Sequence, residues 1–151
     1  MIPKVTIRVL RDESAKDIPL PRYMSPGASG MDVCAAVDEP VTLEPGGVAL
    51  IPTGLRFSIP SGYEVQVRPR SGLAARNGIL IVNAPGTIDS DYRGEIKIIL
   101  GNFGGEPFVV ERGMRIAQFV VQPVIQAELQ LVDELDDTER SEGGFGHTGH
   151  R

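Results

Sequence analysis

The sequence predicts a single all-β domain, and three features of the chain support this prediction. Its 151 residues suffice for one domain with a hydrophobic core. Its 18 glycines and 12 prolines favour many turns, and long helical patterns are few. Apolar residues instead occur in short runs, several of which alternate with polar residues as in half-buried strands.

Composition also narrows the classes of function. The formal net charge is −5, which argues against a protein that coats nucleic acid. Seven acidic residues lie between Gln126 and Glu142, so the rest of the chain is nearly neutral and could still bind a small anion. Cys34 is the single cysteine, and no apolar run approaches a membrane span in length. We therefore expect a cytoplasmic protein without nucleic-acid or membrane partners.

The first half of the chain contains five predicted strand regions. Lys4 to Leu10 alternates apolar and polar residues. Val41 to Leu43 and Val48 to Ile51 are predicted to form a hairpin, and Leu55 to Ile59 continues the pattern. Tyr63 to Val67 alternates again, so the next residue, an arginine, belongs to the polar face.

Two further features are candidates for a functional role. Asp32 is a lone carboxylate among small residues, where an aspartate is usually a turn or capping residue. Arg68 and Arg70 precede Ser71 to Gly78, which is predicted to be a short helical turn with Ser71 near its N-cap. Free N–H groups beside an arginine and a hydroxyl can bind an anion, although a capped turn with solvated arginines explains the motif equally well.

The most informative stretch is Asn83 to Glu95, which joins the predicted strands Ile79 to Val82 and Ile96 to Leu100. Its proline, glycines and serine are explained by turn chemistry alone. Turns do not require three further residues of the stretch. We interpret these three as a site that the two strands hold in place. These residues are Asp89, Tyr92 and Arg93.

The remaining strands lead to an unusual tail. Phe108 to Val110, Arg115 to Val121 and Val124 to Val132 are predicted strands, and Gln118 within the second must either bond backbone or face a ligand. The glycine-rich residues Arg140 to Gly149 cannot bury enough apolar surface to offset the conformational entropy that ordering would cost. They form either a disordered terminus or a segment that closes over a ligand, with an arginine for negative charge and a phenylalanine for a flat ring.

Taken together, the motifs resemble those of the trimeric deoxyuridine triphosphatases (dUTPases), over nearly the whole chain. Five motifs occur in the order found in that family, which is much stronger than any one of them. They are Ala28 to Val33, Pro69 to Ala74, Asn83 to Glu95, Arg112 to Gln118 and Arg140 to Gly149.

The resemblance implies an Mg²⁺-dependent hydrolase that converts dUTP to dUMP and pyrophosphate. This activity keeps uracil out of DNA and supplies dUMP for dTMP synthesis. The implied fold is a distorted jelly-roll-like β-barrel of the β-clip type with one short helix, assembled as a homotrimer. Residues 1–135 would form the β domain, and residues 136–151 a flexible arm that closes an active site of another subunit.

The resemblance also implies a role for each site residue. Asp89 would orient and deprotonate the attacking water, and Tyr92 would pack under the deoxyribose and leave no room for a 2′-hydroxyl. Asp32 would act on the magnesium shell through water. The implied substrate-binding residues are Arg70, Ser71, Gly72, Asn83, Gly86, Thr87, Ile88, Tyr92, Lys97, Gln118, Arg140, Phe145, Gly146, His147 and Thr148.

Two departures and two alternatives accompany this interpretation. His147 stands where the family often has serine, and Ser141-Glu142 stand where glycine often follows the arginine, so the γ-phosphate contacts can differ. A deoxycytidine triphosphate deaminase shares the fold class, but it would lack the tail motif and use a glutamate base. A nucleotide-binding trimer without turnover is the alternative outside the enzymes.

Overall fold

The computed structural model describes residues 3–145, and these residues form an all-β fold with one short α-helix, as predicted. The α-helix α1 spans Ser71–Asn77, and a 3₁₀ turn spans Glu13–Ala15. The strands are β1 (Arg8–Arg11), β2 (Arg22–Tyr23), β3 (Met31–Cys34), β4 (Val41–Leu43), β5 (Val48–Pro52), β6 (Leu55–Ser58), β7 (Tyr63–Arg68), β8 (Ile79–Ile81), β9 (Gly86–Ile88), β10 (Lys97–Asn102), β11 (Phe108–Val110) and β12 (Arg115–Pro123).

The strands pair antiparallel in four open sheets. The largest has the order β2-β3-β12-β7-β9, and a second has the order β5-β10-β8. Two further pairs are β1 with β6 and β11 with β4. Within residues 3–145 no sheet closes on itself, so the closed barrel implied by the resemblance is not seen in the strand pairing.

The hydrophobic core lies against one face of the five-stranded sheet. Val65, Val67 and Phe119 are buried there, and the Phe119 ring meets Phe57 edge to face with centroids 5.6 Å apart. Because side chains alternate along a strand, the residues between them point to the opposite face. The register places Arg68 beside Gln118 on that opposite face, so these two residues are separated by the sheet from the core side.

Three strand predictions need correction. Val41–Leu43 and Val48–Pro52 are strands but not a hairpin, because β4 pairs with β11 and β5 with β10. Alternation identifies the buried face of a strand without identifying its partner. The first predicted strand is paired only over Arg8–Arg11. Residues 124–132 form no strand, and their backbone is joined to the rest of the described chain by the bond from Val124 N to Gly62 O.

No helix among the described residues is long and apolar enough to cross a membrane.

Candidate active site

The predicted connection Asn83 to Glu95 forms one wall of a cavity of about 520 Å³. It departs from a simple loop, because Gly86–Ile88 forms β9 and pairs with β7 of the large sheet. The other wall comes from β5 and β10. Predicted site residues on this cavity are Asn83, Gly86, Thr87, Ile88, Asp89, Tyr92 and Lys97, and the further lining residues are Leu50, Val67, Glu95, Ile96 and Ile99.

A glycine brings the Asn83 side chain against the backbone of β9. A Cβ atom at Gly86 would lie 3.0 Å from Asn83 Nδ2 and 3.2 Å from Val67 Cβ. A side chain at this position would press on both neighbours, so glycine permits this close approach. The Asn83 amide and the β9 backbone therefore supply donors and acceptors at one end of an otherwise largely apolar cavity.

Tyr92 is fixed against the same connection. Its hydroxyl donates a hydrogen bond to the backbone oxygen of Glu95 at 3.0 Å. Its ring lies so close to Gly94 that an added Cβ would be 2.9 Å from Cε2 and would overlap the hydroxyl. With 46% of its surface exposed, Tyr92 presents a held aromatic ring to the cavity.

Arg93 has a structural contact that accounts for its presence. Its Nη1 atom donates to the backbone oxygen of Ser90 at 2.7 Å and to that of Tyr92 at 2.9 Å. These bonds close the turn that follows Asp89. Asp89 itself is exposed and lies directly after β9, so the sheet fixes its position while its carboxylate remains accessible.

A second group of predicted residues surrounds Asp32. This residue lies on β3 and is 6% exposed, whereas turns or caps are the usual places for such an aspartate. Its Oδ2 atom lies 3.0 Å from Arg115 Nη1 and 3.4 Å from Arg70 Nε. Its Oδ1 atom accepts from Gln118 Nε2 at 3.1 Å. Gln118 is thus satisfied by a side chain, and the buried carboxylate is paired and hydrogen-bonded as such burial requires.

Helix α1 starts beside this group. Arg70 occupies the N-cap position in an extended conformation, without a capping bond from its side chain, and Ser71 is the first helical residue. The predicted end is confirmed, since Gly78 adopts a left-handed conformation with φ 66° and closes the helix. Ser71 is exposed next to Arg70, and the first N–H groups of a helix have no partner within the helix.

The structure does not bring these two groups of residues together. Val67 lines the cavity from the core face of the large sheet. Asp32, Gln118 and Arg68 are cross-strand neighbours and therefore share the opposite face. The residues predicted to bind substrate that do not line the cavity are Arg70, Ser71, Gly72, Gln118, Arg140 and Phe145.

The tail residues also stand apart in this structure. Arg140 Nε donates to the backbone oxygen of Gly143 at 2.8 Å, within its own turn, and the Phe145 side chain is fully exposed. Gly146, His147 and Thr148, which were also predicted to bind substrate, lie outside the described residues.

Comparison with known protein families decides the family. The family model described as dUTPase matches residues 16–149, which is most of the chain. The chain belongs to the dUTPase family. The resemblance inferred from the five motifs is therefore confirmed.

Individual relatives agree with this assignment. The deoxyuridine 5′-triphosphate nucleotidohydrolase of Caldanaerobacter subterraneus subsp. tengcongensis is 54% identical over 145 residues, which covers 96% of this chain and 98% of that protein. The solved dUTPase of Staphylococcus bacteriophage 80alpha with dUpNHpp is 29% identical, with a TM-score of 0.84, and the match covers 95% of this chain and 98% of that one. A mutant dUTPase from phage phi11 of S. aureus, described with a structural Mg(II) ion, is 25% identical with a TM-score of 0.76, over 87% and 99% of the two chains.

Two residues of this dUTPase-family site had not been singled out from the sequence. Arg115 lay within a quoted motif, but only its contact with Asp32 shows that it belongs to the second group. Glu95 ended the central stretch and resembled an ordinary turn residue, yet it lines the cavity. A sequence signal existed for Arg115, since alternation along β12 interrupts the core pattern at this position; we find none for Glu95.

Proposed function

We propose that the cavity beside the hairpin binds the deoxyuridine part of dUTP and that Asp89 directs water at the α-phosphorus, which releases dUMP and pyrophosphate. The hairpin comprises strands β8 and β10, which pair antiparallel, and the connection Asn83 to Glu95. The activity is that of the family, dUTP nucleotidohydrolase. The observation that carries the site assignment is the meeting of Asn83, Asp89 and Tyr92 on one cavity. Hydrolysis by this route removes dUTP from the pool used for DNA synthesis and provides dUMP.

Selection of the substrate follows from the shape of this cavity. The Asn83 amide and the backbone from Gly86 to Ile88 can pair with the edge of a uracil, and a close fit around that edge would leave no space for a 5-methyl group. The Tyr92 ring would lie under the deoxyribose and clash with a 2′-hydroxyl. Both are repulsive devices, which suit a rigid hairpin better than a flexible loop.

The reaction needs a base and a means to stabilise charge. Asp89 is a weak base for water, so its contribution is to position the nucleophile and accept its proton, typically worth about 10²–10⁴ in rate. Arg70, Ser71, Gly72 and Gln118 would hold the phosphates, with Lys97 at the near edge of the cavity. Cationic donors placed where negative charge develops lower the barrier to phosphoryl transfer.

Magnesium fits this arrangement as a companion of the substrate. Within residues 3–145 no three His, Cys, Asp or Glu side chains gather into a metal cage. Asp32 has partners on both oxygens, but a carboxylate can accept more bonds than these, so it can still contact a metal-bound water. Mg²⁺ usually keeps several waters and binds through substrate phosphates, where it neutralises charge on the phosphate chain. The phi11 relative described with a structural Mg(II) ion supports a role for this cation.

The separation of the two groups supports assembly into a homotrimer. Asp32 and Gln118 lie on one face of the large sheet and the cavity on the other, so one chain cannot wrap both around a single nucleotide. We infer that the phosphate-binding group of one copy meets the cavity of another, within a jelly-roll-like β assembly. The arm, residues 136–151, would then bring Arg140 and Phe145 from a further copy onto the nucleotide. The β domain would span residues 1–135.

The single buried cysteine, Cys34, is consistent with a cytoplasmic location, because reducing compartments need no disulfide.

Four nucleotides test this function together. The purified protein is incubated with Mg²⁺ and, separately, dUTP, dTTP, dCTP or UTP, while pyrophosphate and ammonia are both followed. Pyrophosphate from dUTP alone is expected. Ammonia from dCTP would replace the proposal with a deaminase, and silence with all four nucleotides would leave a binding protein without turnover.

A further inference from the structure

Glu95 lines the substrate cavity, but its carboxylate contacts protein behind that cavity. Its Oε1 atom accepts a hydrogen bond from the backbone N–H of Gly54 at 3.2 Å. Its Oε2 atom lies 3.8 Å from Lys97 Nζ, and the side chain is 22% exposed. Both oxygens are therefore directed at groups of the chain itself.

The turn that Glu95 contacts is firmly built. Thr53 is 1% exposed, and its Oγ1 atom donates to the backbone oxygen of Ile96 at 2.6 Å while accepting from Leu55 N at 3.2 Å. Ile96 N also donates to Leu55 O at 2.8 Å. The segment that carries Glu95 is thus attached to the turn at residues 53–55 through its backbone and through two side chains.

This attachment continues to the aromatic ring of the site. The Tyr92 hydroxyl donates to the backbone oxygen of Glu95, and its ring lies across Gly94. The place of the ring therefore depends on where the Glu95 backbone is held. Because a misplacement of about 1 Å can change an enzymatic rate about 10²-fold, a small shift of the Glu95 backbone would weaken the exclusion of a 2′-hydroxyl.

We propose that Glu95 is a positioning residue that fixes Tyr92 by bonding to the Gly54 turn, and so sets the rejection of ribonucleotides. The proposal rests on the role of Tyr92 given above. It differs from a direct role of the Glu95 charge on substrate or metal, because only the hydrogen-bond acceptor is required. An amide oxygen at the same place would accept the same bond.

Two substitutions of Glu95 separate these roles. The ratio of kcat/KM for dUTP to that for UTP is measured for Glu95→Gln and Glu95→Ala. Glu95→Gln should keep the ratio within about twofold, whereas Glu95→Ala should lower it roughly 3- to 10-fold, the scale of one lost hydrogen bond. The decrease in the ratio should come from a lower KM for UTP.

A second pair of variants guards against misfolding at Glu95. Thr53→Ser keeps the hydroxyl that bonds Ile96, and Thr53→Val replaces it with a methyl group and so removes both the bond to Ile96 and the acceptor for Leu55 N. Thr53→Val should lower the ratio in the same direction as Glu95→Ala, and Thr53→Ser should not. Unfolding curves confirm that each compared protein is folded at the assay temperature.

The outcomes distinguish failure of this proposal from failure of the Tyr92 role. If Tyr92→Ala leaves the dUTP to UTP ratio unchanged, Tyr92 does not reject ribose and both proposals fall. If Tyr92→Ala lowers the ratio but Glu95→Ala and Thr53→Val do not, only the positioning role is wrong. If Glu95→Gln lowers the dUTP to UTP ratio as much as Glu95→Ala does, the charge of Glu95 acts directly and the positioning role is again refuted.

Discussion

The hairpin around Asp89 and the group around Asp32 are built by different means. In the hairpin, Tyr92 and Arg93 bond backbone oxygens within four residues of themselves. Around Asp32, contact is between charged or polar side chains that come from β3, from β12 and from the N-cap residue before α1. Contacts in the first region join near neighbours in the chain and involve backbone atoms. Contacts in the second region join side chains that are distant in the chain.

This difference matches the two demands of the proposed reaction. Discrimination between uracil and thymine or between deoxyribose and ribose depends on atoms of fixed position, which a backbone-bonded hairpin provides. A triphosphate needs several cationic donors, and guanidinium groups on long side chains can turn from Asp32 toward an incoming phosphate. In the proposed reaction, one region selects the substrate, while the other holds the triphosphate and neutralises its charge.

The largest effect should come from the carboxylate in the hairpin. Asp89→Asn removes the base but keeps the size of the side chain, so dUTP binding should persist while turnover falls by roughly 10²–10⁴. Pyrophosphate release and binding of dUTP are measured on the same preparation. Turnover near that of the unchanged protein would show that Asp89 is not the base.

A neighbouring carboxylate provides the matched control for that variant. Asp91 is exposed in the same turn and does not line the hairpin cavity. Asp91→Asn changes the local charge by the same amount and should leave turnover within about twofold, because exposed substitutions away from a site have small effects. If both variants lost turnover equally, the cause would be the change of charge near the turn.

Mixing subunits tests whether the two regions meet between copies. Asp89→Asn inactivates the hairpin, and Arg70→Gln inactivates the phosphate-binding group. Each variant alone should therefore be nearly inactive. Co-expression should restore activity to about a quarter of normal, since random assembly joins an intact hairpin to an intact partner at that frequency. The measurement is pyrophosphate release by the co-purified mixture.

The control for mixing places both changes in one chain. Asp89→Asn mixed with the double variant Asp89→Asn, Arg70→Gln contains no intact hairpin and should remain inactive. If the two single variants also fail to complement each other, both regions act within one chain and the inferred arrangement of the trimer is wrong.

The contrast between the regions also explains what the sequence could predict. Asp89 and Tyr92 lie within one short stretch, so turn chemistry left them visibly unexplained, and the structure places both on one cavity. Asp32 gave no such signal, because its partners Arg115 and Arg70 are 83 and 38 positions away along the chain. Local patterns report local structure, whereas a buried ion pair depends on the tertiary fold.

The same limit applies to the fold. Alternation located most strands, including the buried face of Tyr63–Arg68, because burial on one side has a period of two. It failed for the pairing of Val41–Leu43 and Val48–Pro52, whose partners lie more than 40 residues downstream. Residues 124–132 carry an apolar pattern without a paired partner strand in the described chain, so pattern alone did not produce a strand.

A moderate effect on stability should follow from a change at Asp32. Asp32→Asn removes the charge that offsets Arg70 and Arg115 while keeping an acceptor for Gln118. Loss of charge-assisted bonds to a buried group should cost roughly 1–3 kcal/mol in the free energy of unfolding. Urea unfolding without nucleotide measures this difference. An unchanged unfolding curve would show that the group around Asp32 is not held by charge.

The smallest effect concerns the turn before β12, which introduces Arg115 and Gln118. Arg112 binds Asp17 with two hydrogen bonds, from Nε at 2.9 Å and Nη2 at 2.7 Å, and also donates to Val37 O at 3.0 Å. The bonds from Arg112 lower the pKa of Asp17 below its usual value of 3.8. A lowered pKa in the folded state stabilises the protein above the pKa of the unfolded state. This stabilisation is lost as pH falls through the lower, folded pKa.

Asp17→Asn should therefore unfold slightly more easily in urea at pH 7. The difference in the free energy of unfolding should shrink as pH falls below about 3.8, because the carboxylate of the unfolded chain takes up its proton there first, and it should vanish below the lower pKa of the folded state. The pair is exposed, so salt should reduce the gap as well. Asp38→Asn is the control, since that carboxylate is 92% exposed and 3.7 Å from Arg112 Nη1, and it should show almost no effect. A gap that widens in acid would mean that Asp17 is stabilised in its protonated form, contrary to the geometry of its bonds with Arg112.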